Sequence, residues 1–198
     1  MLVSLGAKPF CAPLPVMLVG TYDALGRANL VTVIYGGICS LQPPSFCISL
    51  LRSSWSRKAI EERGAFTVCL PSRAMVAQAD FAGFVSGRQE DKFSVLGLTP
   101  VPGQHVDAPY VGECPVVLEL ALTYSHELGS HILYVGEIMD LKVEKAALRE
   151  EGVPDPARID TLGYAPLAGE YLAVGEFVAR ANAVGKTVRN AWPGGKKA

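Results

Sequence analysis

The run Phe46–Leu70, FCISLLRSSWSRKAIEERGAFTVCL, contains the junction on which the reading of this chain depends. Its ends, Phe46–Leu51 and Ala65–Leu70, are short and apolar, as buried strands are. Between them, Arg57–Arg63 reads as two helical turns, with Ser56 placed to cap the start and Gly64 placed to end it. An N-cap needs only one hydroxyl, which leaves Arg52, Ser53 and Ser54 unexplained. A helix start presents unpaired backbone N–H groups and the positive end of a dipole. Together with two hydroxyls and a guanidinium, these would suit a phosphate group. A polar surface turn carrying one cap accounts for the same residues, so both readings stand.

Outward from this run the pattern is repeatedly that of strands. Val16–Tyr22 and Ala28–Gly36 flank Asp23-Ala24-Leu25-Gly26, a turn signal whose glycine supplies positive φ. Val116–Tyr124 and Ile132–Val143 flank a turn at Gly129. With the two strands of the opening run, that makes six, spaced for a closed antiparallel barrel or a sandwich. Ser72 is placed to cap a helix over Arg73–Gly83, with Val76, Ala79 and Phe84 near one face. Glu144–Gly152 reads as a short, charged surface helix. From Val153 onward, Pro and Gly alternate with apolar residues, which predicts an extended segment wrapping the barrel or a partner. The 198 residues are expected to form one domain, ordered over about 15–186, with 189–198 as a flexible tail.

Composition narrows the function. A net charge of −1 gives no global field for nucleic acid or an anionic membrane. No stretch has the roughly 18 apolar residues of a membrane span. Beyond Phe177, Arg180, Lys186, Arg189, Lys196 and Lys197 meet no acidic residue, as in a solvated tail or a segment touching an anionic ligand or partner subunit. The five cysteines include no CxxC pair, and Cys39, Cys47 and Cys69 sit in or beside apolar runs, so reduced thiols in a cytoplasmic protein are expected. No His and carboxylate spacing predicts a metal site, and neither GxGxxG after a strand nor a P-loop is present.

Two more stretches carry donors. Gly83–Phe93 offers Ser86, Arg88 and Lys92 between apolar segments. Asn29 and Thr32 interrupt an apolar strand, where alternation puts Asn29, Val31, Val33 and Tyr35 on one side and Leu30, Thr32 and Ile34 on the other. Buried, Asn29 and Thr32 need hydrogen-bond partners, from a neighbouring strand or from a heterocycle. Of the three histidines, only His131 begins a strand beside a glycine turn.

Taken in order, PVMLVGTYDALGRANLVTVIYGG, PPSFCISLLRSSWSRKAIEERGAFTVCLP, ADFAGFVSGRQEDKF, GLTP, APYVGECPVVLEL and GSHILYVGEI resemble the flavin-reductase-like family, nearest its flavoredoxin-type members. The resemblance runs from about Pro15 to Lys186. It implies a mainly β, six-stranded antiparallel Greek-key split barrel that binds FMN as a homodimer. By the same resemblance, Arg52, Ser53 and Ser56 would hold the phosphate, and Asn29, Thr32 and the backbone of Val33, Ile34 and Tyr35 would lie along the ring. Lys92 would contact the flavin or its phosphate, while His131 and Tyr164 would stand beside the ring, His131 as the candidate catalytic residue.

The chain departs from its relatives in having Tyr35 where tryptophan is common, Ser56 for threonine, Tyr164 for phenylalanine and Ala59 for asparagine. Only Ala59 removes a polar contact. The implied activity is NAD(P)H-dependent flavin reduction with electrons passed to an acceptor. The alternative is a carrier that keeps its FMN and takes electrons from another protein. A barrel that binds a partner or ligand without redox chemistry is the third reading.

Overall fold

The computed structural model describes residues 1–186, so the expected tail at 189–198 lies outside the described residues. In chain order the strands are β1 (Leu14–Pro15), β2 (Met17–Tyr22), β3 (Ala28–Val33), β4 (Gly36–Leu41), β5 (Pro44–Leu51), β6 (Ala65–Leu70), β7 (Pro100–Pro102), β8 (Pro109–Val111), β9 (Val116–Leu128), β10 (His131–Val143), β11 (Leu162–Ala165) and β12 (Glu170–Ala173). The helices are α1 (Ser56–Arg63), α2 (Val76–Phe84), α3 (Lys92–Leu96) and α4 (Pro156–Ile159), with 3-10 turns at Arg73–Met75 and Lys145–Ala147.

Seven strands form the main antiparallel sheet, in the order β3-β2-β6-β9-β10-β5-β4. Its two end strands, β3 and β4, are consecutive in the chain. The corner Ile34–Tyr35 therefore joins the sheet's ends and curls it into a barrel, with Ser49 N–H donating to the Tyr35 carbonyl at 2.8 Å. No backbone ladder pairs β3 with β4, so a seam remains there. The expected single strand Ala28–Gly36 stops at Val33 because the chain must turn this corner. A Cβ on Gly36 would lie 2.5 Å from the Cys47 carbonyl oxygen, so only glycine lets β4 press onto β5 here. This corner accounts for seven strands instead of six.

The core has two parts. Met17, Val19, Phe66, Val68, Leu118, Leu120 and Tyr134 fill the barrel. Val16, Leu18, Leu30, Cys69, Val117 and Leu162 point outward, under Ala79 and Ala82 of α2 and Phe93 of α3. β2 is thus buried on both faces, which is why Val16–Val19 is an unbroken apolar run.

Three local expectations change. Ser72 precedes a 3-10 turn without capping it, and α2 buries Ala79 and Ala82 while Phe84 is 71% exposed. Glu144–Gly152 is not a helix. The 3-10 turn buries Ala147 there, and Leu148 pairs with Pro154 in an isolated bridge. The wrapping segment is more regular than expected: Asp155 caps α4, and β11 and β12 form a hairpin that pairs with β1.

Candidate functional site

At the seam lies a cleft of about 310 Å³. β3 and its corner supply one wall, through Asn29, Thr32, Val33, Ile34 and Tyr35, and Ser49–Leu51 of β5 supply the other. Ser53–Ser56 close one end, His131 stands beside Tyr35, and Gly83–Gly87, running from the end of α2, cover a flank. The break in the ladder that the corner forces is therefore what opens the site.

The polar end differs from the sequence-based expectation. Ser56 does not cap α1. Trp55 occupies the cap position without a side-chain cap bond, and Ser56 is the first helical residue, 1% exposed. Its hydroxyl accepts from Asn29 Nδ2 at 3.0 Å, which gives the buried asparagine a partner within the protein. Thr32 likewise donates to the Ala79 carbonyl and ties β3 to α2. Arg52 does not line the cleft, because Glu127 draws its guanidinium away into an exposed ion pair at 3.0 Å. Ser53 and Ser54 line the cleft, and their hydroxyls have no partner among the described residues. They stand beside the start of α1, where the Arg57 N–H donates to the Ser54 carbonyl at 3.4 Å and the other leading N–H groups lack intrahelical acceptors.

Lys92 is 3% exposed, yet it lines the cleft. Its Nζ donates to the carbonyls of Leu30 and Ala82, each at 2.8 Å, joining β3 to the last turn of α2. Burial pushes its pKa down to about 8. At the far end, the Tyr35 and His131 rings meet edge-on with centroids 5.6 Å apart, and Ser130 Oγ lies 2.8 Å from His131 Nδ1. Tyr164 is elsewhere. It pairs with Leu14 in register and packs edge-on against Tyr171, because β11 belongs to the small sheet.

The sequence reading overlooked Gly87. A Cβ on Gly87 would fall 2.3 Å from Asn29 Oδ1, so the loop can close over the asparagine only as glycine. It also overlooked Phe84, whose exposure places it on the cleft flank. A glycine beside a serine in Val85-Ser86-Gly87-Arg88 was the available signal. Among the described residues, no group of three His, Cys, Asp or Glu could hold a metal, and no helix is long and apolar enough to cross a membrane.

An antiparallel barrel split at one seam, with a cleft that is polar at one end and aromatic at the other, is the flavin-reductase-like FMN-binding architecture. The model of the flavin reductase like domain matches residues 10–167, and the chain belongs to that family. The flavoredoxin of Desulfovibrio vulgaris (Miyazaki F) is 51% identical, with a TM-score of 0.90 over 93% of this chain and 100% of that one. The flavoredoxin from Methanosarcina acetivorans is 28% identical, with a TM-score of 0.89 over 95% and 99% of the two chains. An uncharacterized protein of Archaeoglobus fulgidus is 31% identical over 129 residues, 65% of this chain and 72% of that one.

Proposed function

We propose that the seam cleft holds FMN and that the protein is a redox protein which takes electrons from NAD(P)H and passes them to an acceptor. One observation carries this reading. The unpartnered hydroxyls of Ser53 and Ser54 stand beside the start of α1 at one end of a cleft whose remaining walls are largely apolar and aromatic. That donor set fits a phosphate and the walls fit a planar heterocycle.

When bound, the flavin supplies the electron-transfer chemistry. The protein's own residues bind and orient it. Ser53, Ser54 and the N–H groups of α1 hold the phosphate. Asn29 and Thr32, both engaged inside the protein, keep the β3 wall fixed, while Val33, Ile34 and Tyr35 line the ring. The Lys92 ammonium, in a dry setting, favours negative charge on the group beside it. His131, steadied by Ser130 and Tyr35, stands at the aromatic end, placed to donate or accept a proton there. Arg52 and Tyr164 do not line the cleft of the single chain, so their proposed contacts to the flavin are left to the dimer.

The second reading is a carrier that keeps FMN and is reduced by another protein. The 51% identity to a flavoredoxin across its whole length favours it. Anaerobic addition of NADPH, then NADH, to FMN-loaded protein separates the two. Prompt loss of the flavin absorbance supports the reductase, whereas bleaching only by dithionite supports the carrier.

We also take the protein to act as a homodimer. Leu51, His131 and Leu128 are cross-strand neighbours on β5, β10 and β9, and both leucines are more than half exposed beside the cleft. Five unbridged cysteines support a reducing compartment, read here as the cytoplasm.

A further inference from the structure

Four of the five cysteines stand in two pairs that the fold brings together and the cleft does not use. Cys69 and Cys114 interact in the outer core, where both are buried and the Val111 N–H donates to Cys69 Sγ at 3.4 Å. Cys39 and Cys47 interact at the surface, with Cys39 exposed and Cys47 half-buried.

β4 and β5 run antiparallel, and the cross-strand partner of Cys47 is Gly37. The register shifts between Ile38, opposite Phe46, and Ser40, opposite Ser45. Cys39 is therefore the extra residue of a bulge, without a cross-strand partner of its own. Its thiol sits instead beside that of Cys47. β4 is an end strand of the main sheet, and the Cys47 carbonyl is the group against which Gly36 closes the corner. A bond between these two sulfurs ties the end strand to β5 just beyond the corner that opens the cleft.

We propose that Cys39 and Cys47 form a peroxide-oxidisable dithiol whose disulfide clasps β4 to β5. One thiol takes an oxygen atom from hydrogen peroxide and becomes a sulfenic acid, releasing water. The other sulfur then displaces hydroxide from it, which leaves with that thiol's proton as a second water. Two S–H bonds are lost, one S–S bond forms, and a small dithiol reverses the step by exchange. In a reducing compartment the pair rests as thiols. Partial burial and the neighbouring Cys47 hold the Cys39 thiol above its ordinary pKa, so oxidation quickens as pH rises. Cys69 and Cys114, shut away from solvent, stay reduced under the same treatment.

The sequence makes the test simple. No Lys or Arg lies between Arg27 and Arg52, so one tryptic peptide, 28–52, carries both Cys39 and Cys47. The full chain is treated with hydrogen peroxide, alkylated under denaturing conditions and digested, and its melting temperature is taken before and after treatment. The expected product is peptide 28–52 two hydrogens lighter and closed to alkylation, from a protein that melts about 5 °C higher. Dithiothreitol should reverse both changes. Cys39→Ser, at an exposed position, should lose the shift and leave Cys47 open to alkylation. Peptide 28–52 alkylated at both cysteines, or a bond from either cysteine to another peptide or a second chain, overturns the proposal. A linked peptide with no rise in melting temperature overturns the clasp.

Discussion

Individual side chains decide whether the cleft keeps its shape. Gly87→Ala pushes a methyl group into Asn29 and, through it, disturbs the bond to Ser56. The expected result is a loss of FMN affinity of about tenfold with near-normal thermal stability, measured by fluorescence titration and a melting curve. Lys92 gives a pH signature. Its folded pKa of about 8 lies below the unfolded 10.5, so between these values the unfolded chain holds the extra proton. Stability contributed at this position therefore rises from pH 8 toward 10.5, by up to about 3 kcal/mol, and is flat below pH 8. A neutral amine still has two hydrogens for the Leu30 and Ala82 carbonyls. The difference in urea midpoint between the unaltered protein and Lys92→Met should grow with alkalinity; a constant difference would contradict the assignment. Asn29, Ser56 and Lys92 were legible because each is polar within or beside an apolar run. Their partners were not, since Asn29 and Ser56 meet across 27 positions and only the fold brings them together.

At the scale of elements, strands with one dominant hydrophobic signal were readable. The β2–β3 hairpin, β5, α1, β6 and the β9–β10 hairpin all stand where the pattern put them, give or take a few residues at their ends. β4 was not readable, because most of its residues face solvent or half-face it and its start depends on a close approach of two backbones. Glu119 shows a different limit. It is an acidic residue in the apolar run of β9, and it is wholly buried. Burial alone would raise its pKa. Lys142, at 2.6 Å, and the N–H groups of His105 and Gln104 hold it below the ordinary value. It thereby anchors the loop between β7 and β8 to the barrel. Lys142→Met leaves that carboxylate buried without its cation and should cost about 3 kcal/mol in chemical denaturation. A loss well under 1 kcal/mol would mean that the two backbone N–H groups suffice.

For the whole molecule, the site depends on the seam. The sheet curls until its end strands meet, a two-residue corner prevents them from pairing, and the gap becomes the site. The corner was hidden in the sequence because Ala28–Gly36 looks like one continuous strand. The exposed leucines beside the cleft belong to this scale as well. If they meet a second copy, Leu128→Glu should convert a dimer into a monomer in sedimentation analysis, and an unaltered protein that sediments as a monomer would remove the dimer. The most direct measurement is the binding of FMN itself, followed by the visible spectrum after incubation and desalting, for the unaltered protein and for the Ser53→Ala/Ser54→Ala variant. A retained flavin spectrum near one FMN per chain is expected, with affinity weakened about tenfold or more in the variant. An unaltered protein that emerges colourless, or a variant that holds FMN as tightly, would contradict it.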